Sequence, residues 1–172
     1  MNMEATTVKL YSLNYNNVKT YLAASIFVLG NIALPQLCHL IPQGGKILLP
    51  IYFFTLIAAY KYGWKVGLLT GILSPLINSL LFGMPLAMAL PAIMTKSALL
   101  ALAAGFAAGH YKRVSVPILT MVILSYQIVG TLVEWLMVGD FYLAIQDFRI
   151  GISGMLMQVI GGFFFIKYII RK

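Results

Sequence analysis

From Thr20 onward the chain alternates long apolar stretches with short polar breaks, and six such stretches stand out. They run from about Thr20 to Pro35, Ile47 to Tyr60, Trp64 to Phe82, Leu86 to Ala108, Val114 to Val138, and Phe148 to Ile170. Each is continuously apolar rather than alternating, so each reads as a helix and not as a barrel strand. Several fall short of the roughly 20 residues that cross a bilayer comfortably. Short or proline-interrupted helices are tolerated only where protein or a cavity covers them. The pattern predicts an all-α integral membrane protein of six transmembrane helices. Residues 1–19 form a polar tail at the cytoplasmic side, and residues 20–172 form one six-helix membrane domain.

Composition agrees with lipid as the solvent. Of 172 residues, 61% are hydrophobic and 9% are charged, against about 25% charged in a soluble domain. The formal net charge of +8 would raise nucleic-acid binding in a soluble protein. Here the cations sit singly at the ends of apolar runs, where they set topology. With both termini cytoplasmic, the inner side collects Lys9, Lys19, Lys61, Lys65, Lys112, Arg113, Lys167, Arg171 and Lys172. The outer side keeps only Lys46 and Arg149, with Asp140 and Asp147. An odd number of spans would destroy this asymmetry. The single cysteine, Cys38, excludes an internal disulfide and a cysteine metal cluster.

The break at Pro42-Gln43-Gly44-Gly45-Lys46-Ile47-Leu48-Leu49-Pro50 is the most irregular piece of the chain. Its glycines permit a tight turn and its prolines stiffen the approaches. It reads either as a compact connector or as a lid over a cavity that opens outward.

Polar residues inside the apolar runs are the candidate chemistry. Counting 1.5 Å of rise per residue, Lys96, Gln127 and Gln158 fall about 15 Å below the outer boundary on the fourth, fifth and sixth helices. Asn78, Glu134 and Arg149 fall one or two turns above them. An intramembrane lysine costs about 2.5–3.5 kcal/mol to insert, so Lys96 either pairs with Glu134 or meets an anionic or carbonyl group of a ligand. Gln43 and His39 add polar groups near the loop. Gly67 and Gly71, and Ala101, Gly105 and Gly109, have the spacing of closely packed helices. No HExxH, GxSxG or Walker sequence occurs, and no aspartate cluster that would hold a metal. An enzyme is not expected, nor a cofactor, and energy for transport would have to come from another subunit.

The stretch from Pro42 to Pro85 resembles the substrate-binding S component of energy-coupling factor (ECF) vitamin transporters. The likeness rests on Leu49-Pro50, Tyr62-Gly63-Trp64, Gly67 to Gly71, and Leu81-Phe82-Gly83. The resemblance implies high-affinity capture of a vitamin or related micronutrient from the outer side of a bacterial cytoplasmic membrane. It implies a lid built from Pro42, Gly44, Gly45 and Lys46, and ligand contacts from that loop and the later helices. It also implies partners: a transmembrane coupling subunit and two cytosolic ATPase subunits. The family's first helix docks through an AxxxA-like face; this chain has Ala23, Ala24 and Ser25 there instead. The rival reading is a small multi-helix membrane scaffold of the cell-shape type, with no transported ligand.

Overall fold

The computed structural model describes residues 10–169, without the side chain of Ile169. Residues 1–9, Arg171, Lys172 and the end of the sixth apolar stretch at Ile170 lie outside the described residues. The described chain is all-helical, a multi-pass membrane protein by its apolar helices. Four of these have the length and hydropathy to cross a membrane: α1 (Val18–Cys38), α4 (Trp64–Phe82), α5 (Leu90–Tyr111) and α6 (Val116–Val138).

α1 starts where Asn17 supplies a cap, its side chain accepting from the Lys19 amide at 3.0 Å. Its buried positions, Thr20, Ala24, Phe27, Asn31, Pro35 and Cys38, form one stripe at helical spacing. The opposite face, with Leu22, Ile26 and Leu29, is exposed and apolar, as lipid requires. The next segment is broken where the sequence predicted one helix from Ile47. A single turn, α2 (Gly44–Leu48), is followed by a 3-10 turn (Pro50–Tyr52) and then by α3 (Phe53–Tyr62). Leu49 makes the break, with φ of 46°. A side chain in that left-handed region costs on the order of 1 kcal/mol or more. Pro50 keeps Leu49 out of the right-handed helical region, and burial of the Leu49 side chain offsets the strain.

α3 is the axis of the fold. Thr55 to Lys61 is a continuous buried run, and ten residues rise only about 15 Å. Such a helix survives inside a membrane because α1, α4 and α5 pack around it. Gly63, at φ 99° and ψ 158°, joins α3 to α4 without a loop, in backbone space open almost only to glycine. The Gly67–Gly71 pair serves internal packing: Cβ atoms there would press on Ala59 and Ala101, and on Thr55 and Ser97. The chain at Tyr11 and Leu13 crosses this end as a strap, donating to the Lys61 and Tyr62 carbonyls at 2.8 and 3.1 Å. Lys61, expected on an exposed basic flank, is buried beneath it with Nζ 5.6 Å from the Tyr11 ring centre.

At the far end, α6 leads into two short helices, α7 (Phe141–Ala144) and α8 (Gln146–Ile150), and then α9 (Ile152–Tyr168). Asp140 caps α7 by accepting from the Tyr142 and Leu143 amides. The residues from Met157 to Gly161 wind as a π-helix.

Candidate functional site

The last turns of α6 place side chains at helical spacing on its buried face: Tyr126, Gln127, Gly130 and Thr131, with Glu134 one turn further. α5 packs alongside. Gly130 makes the close approach possible, because a Cβ there would lie 2.6 Å from Lys96 Cγ. The Lys96 side chain therefore runs across Gly130 towards the end of α6. Its ammonium meets Glu134 Oε2 at 2.5 Å and Asp147 Oδ2 at 2.8 Å. The side chains are 3% exposed for Lys96, 19% for Glu134 and 12% for Asp147. A buried cation with two carboxylates is a costly arrangement that only close pairing offsets.

Immediately below this triad, Tyr126 donates its hydroxyl to Gln158 Oε1 at 3.0 Å, and its ring lies 5.6 Å from that of Tyr52. Gln127 is fully buried, and neither its amide nitrogen nor its carbonyl oxygen has a hydrogen-bond partner. Gln158 Nε2 and Thr131 Oγ1 are likewise buried and without partners. Each such group costs about 1–3 kcal/mol when left dry, and native interiors rarely leave one. Four such atoms on two facing helices make this the most polar and least satisfied part of the interior. Gln158 stands on the π-helical turn, a distortion that recurs at functional sites.

The break segment closes this end. Leu49 reaches Gly151, and the backbone of Leu48 and Leu49 passes so near Gly154 that any Cβ would collide with it. The lid residues divide: Gly44 is buried, Gly45 is partly so, and Pro42 and Lys46 are exposed. His39 and Gln43 are exposed too. Arg149 is exposed, its guanidinium 3.6 Å over the Tyr142 ring.

Depth counting misplaced the rungs. α5 begins at Leu90, not Leu86, because residues from Leu86 to Ala89 form a turn. Lys96 is thus only about 9 Å in from its helix end, and Gln158 is equally shallow on α9, while Gln127 lies about 16 Å in. Asn78 belongs elsewhere. Its amide donates to the Asn31 and Ser74 carbonyls at 2.9 and 3.0 Å, and its oxygen accepts from Gln36. Ala24 is buried in the bundle and Ala23 packs against it, so of the residues expected to dock a partner only Ser25 is exposed.

Sequence reasoning missed Asp147, Tyr52 and Thr131. Asp147 had a signal: Lys96 needs an anion, and beyond Glu4 the chain holds only Glu134, Asp140 and Asp147. A pocket of about 380 Å³ lies at the opposite end of the bundle, lined by Tyr11, Tyr60, Trp64, Gly105 and Lys112 among others. It gathers none of the unpaired polar atoms, so the layer between α5, α6 and α9 is the better candidate site. Among the described residues no group of three or more His, Cys, Asp or Glu is placed to hold a metal. Comparison with family models, with curated proteins and with solved structures yields no match.

Proposed function

We propose that this protein captures a small, vitamin-like nutrient at the outer face of a bacterial cytoplasmic membrane and hands it to an energy-coupling factor importer. In this reading the bundle crosses the membrane six times, counting the short α3 and α9, and both termini are cytoplasmic. A separate coupling subunit and two ATPase subunits supply the work. The observation that carries the proposal is the buried set of amide and hydroxyl groups without protein partners on Gln127, Gln158 and Thr131, one turn below Gly154, where the Leu48–Leu49 backbone packs against α9. A scaffold subunit gains nothing from buried polar groups without protein partners; a capture protein uses them to hydrogen-bond its cargo. The test is mass spectrometry of small molecules released from protein purified in mild detergent from rich medium. A stoichiometric nutrient is expected, and its absence would reject capture.

One feature favours the scaffold alternative. Lys96 is already matched by Glu134 and Asp147, as a purely structural lysine would be. A scaffold of that kind would tolerate replacement of Gln127 and Gln158 by leucine with no loss of its cellular role. A capture protein would lose uptake.

A further inference from the structure

Among the described residues, the triad has one cation and two anions, and Lys96 is the one cation within ion-pairing distance of either carboxylate. Arg149, the nearest other cation in sequence, is exposed and occupied with the Tyr142 ring. With both acids ionised the cluster, buried at Lys96 and Asp147 and partly exposed at Glu134, carries a formal charge of −1. An uncompensated buried charge is expensive. The same face of α6 then continues, through Thr131 to Gln127, with unpaired amide and hydroxyl groups, and Tyr126, whose hydroxyl bonds Gln158, packs its ring against that of Tyr52. From Glu134 to Gln127 the helix rises about 10 Å, the length of one small heteroaromatic molecule.

Building on the capture reading, we propose that the nutrient is a cation: a small, flat, nitrogen-containing molecule with a positive charge. That charge sits against Glu134 and Asp147 and completes the neutralisation that Lys96 begins. Its flat body lies against the Tyr52 and Tyr126 rings, whose faces attract cations. Its polar edge is read by Gln127, Gln158 and Thr131, which together offer both donors and acceptors. Lys96 is a positioning residue here. It holds the two carboxylates in place and does not bind the nutrient.

The full-length protein tests this in two arms. In the first, small molecules released from wild-type protein are identified by mass spectrometry and their charge at neutral pH is assigned. In the second, thermal unfolding is followed with thiamine as a cationic probe, riboflavin as a neutral one and pantothenate as an anionic one. A released cation, or stabilisation by thiamine alone, supports the proposal. A bound probe at a hundredfold excess over its Kd should raise Tm by about 5–11 °C. Glu134→Gln and Asp147→Asn should each weaken that cation roughly tenfold or more. A released neutral or anionic nutrient, or stabilisation by riboflavin or pantothenate, overturns the charge assignment and leaves capture standing. No released molecule and no stabilisation by any probe overturns both. The first arm uses unaltered protein, so the answer does not depend on the variants folding.

Discussion

Two polar knots lie inside this bundle, and they are built on opposite terms. The first joins α1, α3 and α4 around Asn31. Both amide hydrogens of Asn31 are used, towards Thr55 at 3.0 Å and Ser74 at 3.3 Å. Its oxygen accepts from the Phe54 amide, an orphan donor at the start of α3, at 3.1 Å. Ser74 and Thr55 pass their own protons to backbone carbonyls, and Asn78 closes the circuit. Nothing in that knot is left over. The second joins α5, α6 and α9 around Lys96, and there Gln127, Gln158 and Thr131 keep unpaired atoms. A satisfied network fixes helix register; an unsatisfied one is unstable until something fills it. We read the first knot as scaffold and propose the second as the ligand site.

The sharpest way to break the contrast is at Asn31. Asn31→Ala strands the Phe54 amide and unsettles Thr55, Ser74 and Asn78 together, at about 1–3 kcal/mol for each group left dry. A loss of roughly 4 kcal/mol is expected, seen as a Tm drop of about 8–16 °C, with any bound nutrient lost only because the fold is lost. A drop of only a degree or two would mean the first knot is not structural.

Next in size is Lys96→Met. It leaves two carboxylates facing each other without a cation, and breaking a buried pair this way costs about 3–5 kcal/mol. Adding Glu134→Gln and Asp147→Asn in the same chain removes the stranded charges, so the triple variant should recover most of the lost Tm. It should not recover nutrient binding. Recovery of both would place the triad in the scaffold class with Asn31.

How much of this was legible beforehand differs between the knots. The bounds of α4 and the end of α6 matched the apolar runs because Gly63, Gly83 and Gly139 punctuate them with positive φ. The burial of Lys96, Gln127 and Gln158 followed from the cost of exposing them to hydrocarbon. The Lys96–Asp147 pair did not, since its members are 51 positions apart and Asp147 sat outside every apolar run. Only the folding of α7 and α8 back over the bundle brings it in. The Asn31 knot was missed for a related reason. One asparagine in a span announces a polar contact, but its partners on α3 and α4 are short hydroxyl side chains that look unremarkable in an apolar helix. Hydropathy finds the helices; it does not find which faces meet.

A smaller effect of opposite sign separates the two knots more cleanly than any loss. Gln127→Leu replaces an amide that has no partner with a hydrocarbon of similar volume. In the nutrient-free protein this removes a buried amide that has no protein partner, and a gain of about 1–2 kcal/mol is expected, or a Tm higher by roughly 2–8 °C. On the capture proposal, in which this amide reads the ligand, nutrient retention should fall about tenfold in the same variant. Binding sites commonly hold such stability in reserve. No substitution of Asn31 should behave this way, because every atom it offers is already used. Thermal unfolding of nutrient-free protein measures the first quantity and equilibrium dialysis the second. If Gln127→Leu destabilises the empty protein as Asn31→Ala does, then Gln127 is held by the fold, and the distinction between the two knots disappears.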